Sequence, residues 1–262
     1  MSKQLVFLAG QKAFQLIKQN GLTPEMVKAI AGAAGGPKWL VLNRLDQFIF
    51  TEWMQNRTDP LFLIGSSIGA WRFSAMCRKN PLEAQAQFEQ GYIHQQYSGK
   101  PTTQEVSEES RKIIEAFVSD DGIDEILNHP YLKIGFMTSR CKGLTESNIT
   151  PLLALGFTGT VLLNLINRNL LGLQMERVLF KQPGSDPPYL KSSCIPMSYV
   201  DLSVDNYRDA LLASGSIPFL MDPVRDIKGA PTGTYRDGGL IDYHLDIPYS
   251  LKDDQVVLYP HF

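Results

Sequence analysis

An apolar run, Leu61-Phe62-Leu63-Ile64, breaks at Gly65-Ser66-Ser67-Ile68-Gly69 and resumes as the helix-like run Ala70-Trp71-Arg72-Phe73-Ser74-Ala75-Met76. A strand that reverses into a helix over so few residues brings two backbones together, and glycines two places before and after the serine relieve the clash. Gly65 and Gly69 are centred on Ser67, so Ser67 rather than Ser66 is expected to project its hydroxyl from a strained elbow. The free N–H groups of the following helix then face any negative charge that develops there. The plainer reading is an ordinary strand-to-helix turn with a capping serine.

The same alternation recurs along the chain. A helix is expected up to Asn20, with Ala13, Phe14, Leu16 and Ile17 on one face and Gly21 as its stop. The strand Met26 to Ala31 runs into the small-residue loop Gly32-Ala33-Ala34-Gly35-Gly36, and Pro37 suits the first turn of the next helix. After a helix carrying Phe88, Tyr92 and Ile93, the polar stretch Ser98 to Glu109 reads as a separator before a helix around Ile113 to Val118, and this middle part is expected at the periphery. Strands are expected at Tyr131 to Met137, Met197 to Leu202 and Gln255 to Phe262, with a helix over Tyr207 to Ser214. Strands alternating with helices predict an α/β fold with a mainly parallel central sheet and helices on both faces.

At 262 residues, 44% hydrophobic and 20% charged, the chain is expected to form a single domain, 1–262, with an N-terminal helical extension over about 1–22. A formal net charge of −2 leaves no general basic face, which argues against nucleic acid as a partner. Cys77, Cys141 and Cys194 are an odd, scattered set without C-x-x-C spacing, so neither a disulfide framework nor structural zinc is expected. Met1 to Gly10 holds only a short apolar stretch and no convincing cleavage region, which predicts a cytoplasmic protein. A strand that stops with the chain suggests that a longer natural protein has been shortened after Phe262.

A nucleophile needs a base, and Arg236-Asp237-Gly238-Gly239-Leu240-Ile241 supplies an aspartate followed by two glycines. Taken alone, Asp-Gly is a turn signal. The Gly32 to Gly36 loop offers several N–H groups for an oxyanion hole, and a parallel sheet gathers such turns at one edge. With Ala213-Ser214-Gly215-Ser216-Ile217-Pro218 between serine and aspartate, these ordered elements resemble the patatin-like phospholipase family over most of the chain. The resemblance implies a three-layer α/β/α patatin-like fold and a Ser-Asp dyad of Ser67 and Asp237, with the oxyanion hole from Gly32, Ala33, Ala34, Gly35 and Gly36. It further implies hydrolysis of a phospholipid or other lipid ester through an acyl-enzyme, with no metal and no organic cofactor. The loop departs from the family's G-G-G-x-[RK]-G, with Lys38 the nearest cation. An acyltransferase with the same dyad, or a lipid-binding protein without turnover, are the alternatives.

Rival residues carry less. His244, seven places after Asp237, allows a Ser-Asp-His order but leaves little chain for the usual loop. His94, His129 and His261 stand singly without metal-ligand spacing, and Asp242 and Asp246 are expected to fix the local loop. Pro151 to Leu173 carries one charge, Arg168, yet Gly, Thr and Asn interrupt it too often for a membrane span. It reads either as buried core or as a lid or lipid-contact segment over about 151–173, with peripheral membrane contact.

Overall fold

In the computed structural model the described residues are 5–97, 99–188 and 195–262; Met1 to Gln4, Ser98 and Cys194 lie outside them. Helix α1 (Gln11–Asn20) is preceded by exposed residues without regular structure, so the opening helix is shorter than expected. Strand β1 (Val27–Gly32) leads through the small-residue loop into a tight helical turn, Gly36–Leu42, and α2 (Asn43–Gln47). Strand β2 (Leu61–Ser66) and α3 (Ile68–Met76) flank the elbow, and every residue of both is buried. Helices α4 (Pro81–Ile93), α5 (Thr103–Phe117) and α6 (Asp120–Leu127) follow, then the ten-residue strand β3 (Leu132–Cys141). Helix α7 (Thr150–Ile166), β4 (Met175–Lys181), β5 (Met197–Asp201) and α8 (Tyr207–Ser214) lead to the short strands β6 (Val224–Arg225) and β7 (Thr234–Asp237). A single-turn helix α9 (Gly239–Asp242) and strand β8 (Val256–Leu258) complete the order.

The strands form one sheet in the order β5-β4-β3-β2-β1-β8, with β7 pairing β3 and β6. The β1–β2, β1–β8, β2–β3 and β4–β5 pairs are parallel, while β3–β4, β3–β7 and β6–β7 are antiparallel. The molecule is therefore α/β with a mostly parallel central sheet and helices around it. The terminal strand β8 lies at an edge of that sheet rather than in its middle.

One pairing positions the site. Strand β2 runs parallel to the first part of β3 and ends with Ser66 opposite Met137. Strand β7 takes over the same edge from the other direction, ending with Asp237 opposite Thr138, the next residue of β3. The residue after β2 and the last residue of β7 thus converge on one point.

The larger core joins Leu61, Leu63, Ile134 and Phe136 of the sheet to α3, α4, α5 and α8, with Trp39 stacked on Phe88 at 4.3 Å and Phe88 on Phe117 at 4.8 Å. Truncating such a buried aromatic to alanine costs about 3–5 kcal/mol. This corrects the expectation of a peripheral middle region. It also corrects the separator at Ser98 to Glu109: α5 begins at Thr103, where the Thr102 hydroxyl accepts the Glu105 N–H at 3.2 Å as an N-cap. On the opposite face Phe62, Ile64, Met137, Leu179 and Leu245 make a second cluster. Cys77 and Cys141 are buried free thiols, and burial raises both pKa values.

Candidate active site

Ser67 has φ 55° and ψ −129°, a backbone conformation that a side chain rarely adopts. The crossing that imposes it is tight. A methyl group on Gly69 would stand 2.1 Å from the Gly32 carbonyl oxygen, and one on Gly65 would stand 2.3 Å from the Ala70 backbone, so both glycines are required by close approach. Elbow, β1 and α3 are thereby packed as one unit. Tyr207 hydroxyl donating to Ser74 Oγ at 3.0 Å, and Trp71 Nε1 donating to the Leu211 carbonyl at 2.9 Å, fasten α3 to α8.

Ser67 Oγ donates to Asp237 Oδ2 at 2.6 Å, joining residues 170 positions apart. The Gly239 N–H donates to Oδ1 of the same carboxylate at 2.6 Å. Both side chains are buried, and burial pushes the Asp237 pKa up to about 6 against the opposing pull of these two hydrogen bonds. The carboxylate is still ionised at pH 7 and is a better proton acceptor than an exposed aspartate.

Ser214, at the end of α8, joins the two halves. Its hydroxyl accepts the Ser67 N–H at 3.0 Å and donates to the Met137 carbonyl at 2.8 Å, while its own carbonyl accepts the Gly238 N–H at 3.2 Å. Ser216 adds a carbonyl that accepts the Asp237 N–H at 3.0 Å. The expected small-residue segment thus holds the serine through the Ser214 hydroxyl and the aspartate turn through the Ser214 and Ser216 carbonyls, a role that its composition alone did not assign.

The small-residue loop is only partly available as an anion site. The Ala34 N–H donates to the Tyr243 carbonyl at 3.0 Å, which removes Ala34 from the expected oxyanion set. Gly32 closes β1, and with Ala33 it presents carbonyl oxygens toward Gly69. The N–H groups of Gly35 and Gly36, and of Ile68 and Gly69 in the first turn of α3, have no hydrogen-bond partner among the described residues. Gly36, at φ +53°, lies with Ser67 on one cavity wall. Lys38 Nζ lies 5.2 Å over the Phe262 ring, and that ring packs against Gly35 of the loop.

Other candidates fall away from the dyad. Ser66 is fully buried in the strand and its hydroxyl has no hydrogen-bond partner among the described residues. His244 Nδ1 pairs with the Tyr259 hydroxyl at 2.9 Å, whereas the Asp237 carboxylate is bonded by Ser67 and Gly239. Asp242 does fix the following turn: its buried carboxylate is held by Arg177 through both oxygens, and Arg168 donates to the neighbouring Ile241 carbonyl at 2.7 Å. Asp246 is exposed.

Beside Ser67 opens a cavity of about 260 Å³, walled by Trp71, Val106, Ile113, Ile217 and Met221, with Tyr92, Gln95 and Tyr97 among the rest, and with no charged residue in its lining among the described residues. Its α5 wall was missed in the sequence; the signal for it is Val106 and Ile113, seven residues apart and so on one helix face. A larger recess of about 480 Å³ lies among Arg78, Glu125, His129 and Tyr131 at the other end of α3 from Ser67. Helix α7, whose Phe157 ring meets Phe219 at 5.9 Å, leaves Leu155, Leu162, Leu165 and Ile166 exposed, and no described helix is long and apolar enough to cross a membrane. The expected buried core at Pro151 to Leu173 is therefore mostly surface; of α7 only Leu153, Gly156 and Thr160 are buried. Comparison with family models, with curated proteins and with solved structures returns no match to this chain.

Proposed function

We propose that the chain is a serine acyl hydrolase of lipid esters, of phospholipase A or lysophospholipase type, with a patatin-like α/β/α fold. The observation that carries this reading is the 2.6 Å bond from Ser67 Oγ to a buried aspartate, at a strained turn beside an uncharged cavity. Asp237 takes the hydroxyl proton as Ser67 Oγ attacks the ester carbonyl. The tetrahedral oxyanion is met by the unpartnered N–H groups of Gly35 and Gly36 and of the α3 first turn. Collapse releases the alcohol, which takes the proton from Asp237 and leaves an acyl-serine. Water, deprotonated by the same carboxylate, attacks this ester; the acid leaves and Ser67 recovers its proton. An alcohol in place of that water makes the same site an acyltransferase. The exposed aliphatic face of α7 is the surface by which the protein meets lipid.

The test is labelling by a fluorophosphonate followed by peptide mapping. Modification is expected at Ser67 in the wild type, absent in Ser67→Ala and sharply reduced in Asp237→Asn. A folded wild-type protein that takes no label would overturn the proposal.

A further inference from the structure

The cavity beside Ser67 has a floor, a rim and a measurable size. The floor is one face of α5, with Val106, Ser110 and Ile113 each less than a tenth exposed, closed by the buried Trp71 and Met221. The one floor hydroxyl, Ser110 Oγ, is turned to the Met221 sulfur at 4.0 Å, a weak partner that adds little polarity. At the rim, Ile217 and Leu220 are 39% and 48% exposed. Next to them Phe219, held at φ +66°, meets Phe157 of α7 at 5.9 Å. An apolar path therefore leaves the cavity over the rim and continues along α7.

Among the described residues no lysine, arginine, aspartate or glutamate lines the cavity, so no ionic partner meets a phosphate or an ammonium head group, and the polar side chains of its remaining wall are engaged locally: the Tyr97 hydroxyl donates to Gln95 Oε1 at 2.5 Å and the Gln95 amide to the Tyr92 carbonyl at 2.9 Å. A hydrocarbon chain suits it. A methylene fills roughly the volume of a liquid water molecule, ~30 Å³, so 260 Å³ encloses one chain of about eight carbons and has no room for a second. We propose that this cavity is a single-chain acyl site that encloses about the first eight carbons from the ester carbonyl, with the α5 face Val106, Ser110 and Ile113 setting the limit. Carbons beyond that number leave over Ile217 and Leu220 toward Phe219 and α7, and the rest of the lipid stays outside. This inference rests on the acyl-hydrolase reading for its substrate, but the fit of a chain to the cavity does not need turnover.

Two measurements on the full chain separate the two. The first is kcat/KM for p-nitrophenyl esters of two, four, six, eight, twelve and sixteen carbons, all below their critical micelle concentrations. Each added carbon is expected to raise the rate constant about two- to fourfold up to about eight, with less than a twofold change between eight and sixteen. Val106→Phe and Ser110→Leu, checked for unchanged melting, move the break to shorter chains. The second is calorimetric binding of butanoate, octanoate and dodecanoate to Ser67→Ala. Octanoate is expected to bind at least tenfold more tightly than butanoate and within about twofold of dodecanoate, and Val106→Phe in this background is expected to weaken octanoate. Octanoate binding in that pattern without ester turnover sinks the hydrolase reading and leaves the acyl site standing. Affinity or rate that stays flat from four to eight carbons, or climbs as steeply from eight to twelve, overturns the acyl site itself.

Discussion

In the proposed mechanism Asp237 takes a proton from Ser67, and burial of the carboxylate favours that step by removing water from around the charge. Because its pKa stands at about 6 in the folded protein, ester hydrolysis is expected to rise with pH as the carboxylate ionises, reach half its maximum near pH 6 and level off above pH 7. A kcat/KM profile between pH 4.5 and 8.5 checks this; a profile already flat at pH 5 rejects the raised base. In that mechanism Ser214 touches no reacting atom, yet its hydroxyl receives the N–H of Ser67 itself. Ser214→Ala leaves that N–H and the Met137 carbonyl unpaired in the interior, a loss of about 1–3 kcal/mol. The expected outcome is a fall in kcat of about tenfold to a hundredfold with KM within twofold, read from steady-state kinetics on an ester. A fall in melting temperature with kcat unchanged would make Ser214 structural only.

At the scale of elements, close packing and exposure separate what tolerates change from what does not. Gly69→Ala drives a methyl into the Gly32 carbonyl; the crossing of β1 and α3 has no flexible partner to yield, and loss of cooperative unfolding, or at least 3 kcal/mol of stability, is expected in a urea titration. In α7, by contrast, Leu155→Ser, Leu162→Ser and Leu165→Ser together are expected to leave that titration within about 1 kcal/mol, because the three side chains are exposed, and to reduce sedimentation with phosphatidylglycerol vesicles. The elbow and the aspartate turn were legible in the sequence because each is a local pattern: apolar run, glycine-flanked serine, helix, and Asp-Gly-Gly. Three features were not. The register that sets β7 against the end of β2 is a long-range pairing with no local mark. The start of α5 is hidden because Gln, Glu and Lys are polar but good helix formers. The exposure of α7 escapes because an all-apolar helix carries no moment to say which side faces the sheet.

Over the whole molecule, two buried carboxylates work against stability at neutral pH. Asp237 and, through its burial beside Arg72, Asp46 both have folded pKa values raised to about 6 from an ordinary value of 3.8. A carboxylate raised in the folded state binds more protons folded than unfolded, so its contribution is fully present below pH 3.8 and lost as pH rises through about 6. Asp237→Asn, which stays neutral throughout, is therefore expected to melt higher than wild type by several degrees at pH 7.5, a gain of at most about 3 kcal/mol. The gain shrinks toward zero as pH falls to 4.5, and scanning calorimetry at both values reads it. An Asn variant less stable at pH 7.5 than at 4.5, relative to wild type, contradicts the assignment.

The meeting of β2 and β7 on one edge of β3 has a consequence for how errors of folding show themselves. If β7 paired one place out of step, Asp237 would move about 3.3 Å along β3 and turn to the other face of the sheet. Most of the core, which rests on β1 to β4, would survive that slip. Such a population would pass every test of compactness and helix content while being chemically silent. The fraction of refolded chains that accept a serine-directed label therefore counts, molecule by molecule, how faithfully a single strand found its place.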